Sequence, residues 1–330
     1  MIPVRQAQPV VTRGLRSPDD YEDIAAVLAA SMDADGYDTT RSAGQLEGGL
    51  SALPGFDPAE DVRIAEVQGK VVGFAYGALD GDHPELGRIL FHNGSVLPRW
   101  RGQGIGRRLL AEAQLAAARH AARRPEPAPA TTTLRAFVGE TDHDARRLLE
   151  HDGYGIARYA FSMVRPTLAD PPRVSLPEGI ELRQATRAER LPIGRAMNEA
   201  FADHWGMAAY SDEDARAFFE HPLFGQVDAW QVAWDGDRPV GGVLGFVNEE
   251  ENTLLGRRRG YTENIWTVRE WRGRGIATAL IGANLRFLAA RGMTEAALMV
   301  DTQSLTGALG LYEKVGFEQQ HTNLIYQRRA

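Results

Sequence analysis

The chain has 330 residues and no cysteine. That excludes disulfides, thiolate metal ligands and cysteine nucleophiles, and it fits a reducing cytoplasm, the expected location. Long apolar runs are missing as well. No stretch approaches membrane-spanning length, and the opening residues MIPVRQAQPVVTRG lack the apolar core of a signal peptide, so no membrane partner is expected. An excess of positive charge is also lacking. With 37 Lys and Arg against 44 Asp and Glu, the formal charge is -7, which argues against a nucleic-acid backbone as the main partner. The 8 histidines are scattered, and none pair at the i, i+4 spacing of a helical metal site, so no metal is expected. What remains is a soluble globular profile, 43% hydrophobic and 25% charged, long enough for two domains with a core each.

The positive signal is a repeat. PRWRGQGIGRRLL (98–110) returns as REWRGRGIATALI (269–281). Upstream, TRGLRSPDDYEDIAAVL (12–28) parallels GIELRQATRAERLPIGRAM (179–197), each reading as a short strand, a polar break and an amphipathic helix. The halves also close alike, on ARRLLEHDGYGIARYAFSMVR (145–165) and GALGLYEKVGFEQQHTNLIYQ (307–327). Between them RPTLADPPRVSLPEG holds four prolines and no helical period. The layout predicts an N-terminal domain over 1–165, a linker over 166–178 and a C-terminal domain over 179–330. Both domains should be mixed α/β: WQVAWDGDRPVGGVLGFVN reads as a hairpin, GYTENIWTV as one strand, ATALIGANLRFLAARG as a helix stopped by Gly292, and NEEENTLLGRRRG as a solvated hairpin loop.

A glycine-rich turn between a strand and a helix start gathers outward-pointing N–H groups, and the helix dipole adds partial positive charge. Glycines at 102, 104, 273 and 275 let an anion approach the main chain, with Arg272 and Arg274 expected to add charge at the edge. No Lys-Ser/Thr follows the last glycine and no third spaced glycine is present, so this is neither a nucleotide-hydrolase loop nor a dinucleotide fingerprint. Arg272-Gly273-Arg274-Gly275-Ile276-Ala277 and Arg101-Gly102-Gln103-Gly104-Ile105-Gly106 both resemble the acyl-CoA pyrophosphate loop of the GNAT N-acetyltransferase superfamily, and LYEKVGF (311–317) resembles its C-terminal motif. The tandem arrangement resembles the mycothiol synthase group in layout. The resemblance implies two tandem GNAT-like domains, each a mixed, twisted sheet splayed between its central strands, with acetyl-CoA as cosubstrate. Main-chain groups of the strand before each loop, around Thr267 and Val268 and at Val96, would pair with its pantetheine arm.

Acetyl transfer from a thioester to an amine has two proton demands, one at the amine and one at the departing sulfur. The resemblance puts the acid at Tyr312, four residues before Gly316; the same count back from Gly153 in the first half gives Leu149, which cannot donate. For the base, the strand offers Glu263, acting directly or through a water, with Tyr261 on the same face. Strict counting from Arg272 reaches Tyr261, so Glu263 needs a register change such as a bulge. His92 stands at the corresponding place in the first half, without an acid beside it. The second half is therefore expected to be catalytic and the first to be a non-catalytic relic. Asp203, His204, Trp205 and Tyr210 could recognise a polar, ring-bearing amine, with Tyr261 a further acceptor-site candidate, while Arg257 or Arg259 could touch an acidic group. The expected activity is transfer of an acetyl group to a primary amine of a small molecule, by a monomer or homodimer. A peptide or protein amine acetyltransferase and a non-catalytic acyl-CoA sensor stay open.

Overall fold

The computed structural model describes residues 9–123, 129–206, 211–303 and 307–330. The chain divides into two compact units, one of Met1–Ser51, Gly55–Gly155 and Tyr326–Ala330, the other of Ala52–Pro54 and Ile156–Ile325.

In the first unit the order is β1 (Val10–Arg13), α1 (Asp20–Ala34), α2 (Ala43–Ser51), α3 (Pro58–Asp61), β2 (Val62–Val67), β3 (Lys70–His83), β4 (Gly87–Val96), α4 (Ile105–Ala122), β5 (Thr132–Gly139) and α5 (His143–His151). Strands β1 to β5 lie side by side in chain order, antiparallel except for β4 and β5. Small residues let α4 sit almost on the backbone of β3: a Cβ on Gly77 would lie 2.0 Å from the Ala113 carbonyl. Ile105, Leu109 and Ala113 of α4 then close a core with Ala65, Val67, Val72 and Ala75. β4 is paired with β3 from Gly87 to Val96, but its parallel ladder with β5 ends at His92↔Ala136. Beyond that rung the two strands part.

The second unit continues with β6 (Gly155–Arg165), β7 (Ile180–Arg183), α6 (Arg190–Phe201), α7 (Asp212–Glu220), β8 (Trp230–Asp235), β9 (Arg238–Leu244), β10 (Phe246–Val247), α8 (Glu249–Leu255), β11 (Arg259–Tyr261), β12 (Ile265–Thr267), α9 (Ile276–Ala290), β13 (Glu295–Asp301), α10 (Ala308–Lys314) and β14 (Glu318–Arg329). Its strands form two runs, β14-β6-β13-β11-β10 and β12-β9-β8-β7. The expected hairpin is present as β8 and β9, closing at Asp235↔Arg238. α9 buries Leu280, Ile281, Leu285 and Leu288 in a core with Trp230, Trp234 and Trp266. Its end falls at the expected glycine, where Gly292 takes φ +80°.

Two readings are corrected. GYTENIWTV is not one strand. β11 pairs with β13 in one run, β12 pairs with β9 in the other, and Thr262–Asn264 lie between, with Asn264 in the left-handed region at φ +47°. Thr262 donates its N–H to Ala297 on one side, and Glu263 gives its carbonyl to Leu244 on the other. The sheet splays at this break. Nor is NEEENTLLGRRRG a solvated loop. Asn248 caps α8 by accepting from Glu251 N–H, Gly256 ends it at φ +62°, and Glu251 and Asn252 are buried. The periodicity was invisible because α8 spans only 7 residues.

The proline-rich segment after β6 has no regular structure, yet it is packed. Arg165 donates to the carbonyls of Thr167 and Ala169, and Arg286 to that of Pro172 at 3.1 Å. A Cβ on Gly282 would lie 2.1 Å from the Pro172 carbonyl, and one on Gly275 3.4 Å from Val174. The segment therefore runs along one face of α9, past the helix start.

Candidate active site

The two glycine phrases fold alike. In each, a short 3-10 turn, Pro98–Trp100 or Arg269–Trp271, follows the strand. Gly102 and Gly104 take φ +73° and +83°; Gly273 and Gly275 take +74° and +82°. At these angles a Cβ is strained, which is why both phrases keep glycine there. The first helical bonds run from Arg108 N–H to Gly104 and from Ala279 N–H to Gly275. The amides of 105–107 and 276–278 precede them, at the positive end of helices of 18 and 15 residues. Ile105 and Ile276 are buried anchors, so these positions offer main chain only. Such a cradle fits a phosphate.

The arginines that lead the phrases do not stand at the edge as expected. Arg272 turns inward onto Asp203 with contacts of 2.7 and 3.0 Å, and its Nε donates to the Thr267 carbonyl. Arg101 repeats this on Asp35 with two contacts of 2.7 Å, with Nε on the Val96 carbonyl. Both are bidentate clamps that tie the loop to the preceding strand and to the C-terminal end of a helix. Asp203, which Arg269 also contacts at 3.0 Å, is thus engaged with the loop, and its pKa is lowered to about 2 by the Arg272 hydrogen bonds. Arg274 lies over the Trp271 ring at 4.6 Å, and Gln103 donates to the Arg99 carbonyl. Val268 gives its N–H to Val240 and receives that of Trp271. Ala277 and Gly106 sit one step inside their helices, the latter 3.2 Å from Leu148 if it carried a Cβ.

In the second unit the sheet break presents Glu263. Its Oε1 accepts the Met299 N–H at 2.9 Å, so the carboxylate takes the place a strand neighbour would have taken on β13. Burial pushes its pKa up to about 8, against the opposing pull of the Met299 and Asn264 amides. Tyr312 is buried on α10, edge-on to Phe317 with centroids 6.4 Å apart. Its phenol is raised, first by desolvation and then by the charge of Glu263. The structure thus brings these two within electrostatic reach of each other. Tyr261 is drawn elsewhere: it stacks on Phe246 at 4.7 Å, its hydroxyl donates to buried Glu251, and Arg257 pairs with the same carboxylate at 3.1 Å. Arg259 is held by Glu295 at 2.7 Å. His204 packs edge-on to Phe201, and Trp205 carries Arg158 over its ring at 4.7 Å. Tyr210 lies outside the described residues.

The first unit holds a cavity of about 770 Å³. Gly102, Gly104 and Arg107 of the loop line one part; Asn93, Phe137 and His92 line another, where β4 and β5 part. His92 does have an acid beside it. Its Nε2 lies 2.7 Å from the Tyr154 hydroxyl. Counting back from Gly153 led to Leu149, while the phenol stands on the other side, directly after that glycine. Asp142 caps α5 through the Ala145 N–H and also lines the cavity.

A mixed sheet parted at its centre, with a phosphate cradle at a helix start, defines an acyl-CoA transferase architecture, and known proteins agree. The Acetyltransferase (GNAT) family profile matches residues 194–317, and a second Acetyltransferase (GNAT) domain profile matches 58–155. The chain is 31% identical to a mycothiol acetyltransferase of Salinispora arenicola, over 96% of each chain, and 28% identical to one of Thermobispora bispora, over 94% of this chain and 97% of the relative. Among solved structures, a GCN5-related N-acetyltransferase from Sphaerobacter thermophilus superposes with a TM-score of 0.73 at 26% identity, covering 97% of this chain and 95% of that one. A tandem GNAT protein from the clavulanic acid biosynthesis pathway shares the fold, with a TM-score of 0.69 at 17% identity. The chain belongs to the GNAT acetyltransferase family as a tandem-domain N-acetyltransferase.

Proposed function

We propose that the second unit transfers the acetyl group of acetyl-CoA to a primary amine of a small molecule, with Glu263 as base and Tyr312 as acid. The observation that carries this reading is their convergence: a carboxylate set in the sheet break, and a buried phenol that feels its charge. Glu263, with a pKa near 8, takes the proton of the incoming ammonium, directly or through a water. The amine nitrogen bonds the carbonyl carbon, the carbon–sulfur bond breaks, and Tyr312 gives its proton to the departing sulfur. The loop amides from Gly273 to Ala277 hold the pyrophosphate. Arg274 adds charge, Arg272 keeps the loop in place through Asp203, and the strand at Thr267 and Val268 lies beside the pantetheine arm.

The acceptor enters, in this reading, past His204 and Trp205, with Arg158 contributing to its recognition. The relatives direct the first assay to the acceptor of the mycothiol acetyltransferases, ahead of a wider panel of amines. The first unit keeps a CoA in its cavity, held by Arg101 to Gly106 and by the strand at Val96, and is not the centre of turnover.

Release of free thiol from acetyl-CoA, followed with each amine, tests the assignment. Tyr312→Phe should lower kcat by roughly 10- to 10^4-fold. Full turnover in that variant would remove Tyr312 from the mechanism and favour a site that binds without using it.

A further inference from the structure

Four polar side chains run in line behind the first unit's cavity. Gln114 donates its amide nitrogen to Asp152 at 2.9 Å and to the Tyr154 hydroxyl at 3.0 Å. Asp152 is also held by Arg328 at 3.3 Å, and a carboxylate facing a guanidinium accepts. A carboxylate acceptor fixes which end of the Gln114 amide faces it, and so fixes that the same nitrogen donates to Tyr154. The phenol oxygen therefore accepts from Gln114, and its own hydrogen goes to His92 Nε2, 2.7 Å away. An imidazole that accepts at Nε2 carries its proton on Nδ1. Burial holds His92 well below its ordinary range, at about 4, with Asp152 pulling the other way, so the ring is neutral and keeps this one tautomer.

His92 is the last residue of the β4–β5 ladder and lines the cavity there, while the glycine loop lines it further along. From Val96 back to His92 is about 13 Å of extended strand. A ligand whose phosphates rest on the loop and whose chain follows β4 would bring its far end to this imidazole. Among the described residues nothing else hydrogen-bonds the ring, and His92 lines the cavity, so an acceptor that enters there can take this N–H. The thioester carbonyl of an acyl-CoA is one, whereas the thiol of free CoA is a poor one.

We infer that the Asp152–Gln114–Tyr154–His92 chain makes the first unit an acyl-CoA-selective site, with His92 reading the thioester carbonyl that free CoA lacks. This rests on the reading that the first unit holds a CoA. It adds that the site distinguishes the charged from the spent cosubstrate.

Calorimetry on the full chain tests it. Gly275→Glu places a carboxylate in the second loop, so that binding reports the first unit, and acetyl-CoA and CoA are titrated separately. Acetyl-CoA should bind about 3- to 10-fold more tightly than CoA, the range of one net hydrogen bond. Adding Tyr154→Phe frees the imidazole to take either tautomer, and adding His92→Phe removes the donor. Each should bring the ratio close to one while the affinity for CoA stays within about 2-fold. Should His92→Phe not fold, Tyr154→Phe decides alone. Equal affinities in the Gly275→Glu protein, or a ratio that Tyr154→Phe leaves unchanged, overturn the inference and leave CoA binding by the first unit standing. Binding of neither ligand removes both.

Discussion

The two glycine loops are built on one plan, down to the inward arginine, the carboxylate that receives it and the carbonyl under its Nε. What lies where the sheet parts differs. In the second unit the break puts a carboxylate against a β13 amide, and its charge raises the Tyr312 phenol. In the first, an unbroken β4 carries a histidine whose outer nitrogen is already spent on Tyr154. Phosphate binding is carried by main chain and follows wherever the strand–turn–helix forms. In the proposed mechanism proton transfer falls to side chains, and the interruption of one strand is what sets Glu263 apart from His92.

The largest effects expected set the two centres against each other. Glu263→Gln should lower kcat by roughly 10^2- to 10^4-fold, while His92→Gln should leave turnover within about 2-fold, since no transfer step uses it. The pH profile sharpens the assignment. Glu263 must be ionised to accept a proton, so kcat/KM should rise with pH up to about 8 and level off, and Glu263→Gln should flatten the rise. A rise that persists in the variant assigns it to another group.

A smaller effect separates the loops. Gly275→Glu forces a side chain into φ +82° and sets charge against phosphate; it should weaken acetyl-CoA by about 10- to 100-fold and cut turnover, whereas Gly104→Glu should remove a binding equivalent and spare turnover. Loss of turnover with Gly104→Glu would move the chemistry to the first unit. The smallest concerns the clamp. The Asp203 carboxyl titrates near 2 in the folded chain against an ordinary 3.8, so its pairing contributes stability that is full above about pH 4 and lost as pH falls through 2. Asp203→Ala should therefore cost about 1 kcal/mol at pH 7, after solvent screening of the pair, and clearly less at pH 2, read from urea unfolding at both.

The fold of the two loops and the place of Tyr312 on a short helix before a glycine were legible in the sequence, because glycine at positive φ and a helix–glycine–strand closure are local. The sequence did not carry what the arginines do, since Asp35 and Asp203 lie 66 and 69 residues from them. Glu263 was legible only as needing a register change; the change is a break between two strands that belong to different runs, which no alternation pattern records. Tyr154 was missed because a fixed offset was counted in one direction from Gly153. Asp203 read as a residue for recognising the acceptor amine for the same reason as the clamps: its partner Arg272 is distant in the chain.

One feature of the chain path bears on how the protein is made. Residues 326–330 belong to the first unit, where Tyr326 bonds Glu150 at 2.7 Å, Arg328 meets Asp152 and Ala330 N–H reaches the Thr132 carbonyl. On a ribosome these residues emerge after all of the second unit. The first unit therefore lacks these contacts until the second unit has been made, and the guanidinium that pairs with Asp152 behind His92 arrives only then.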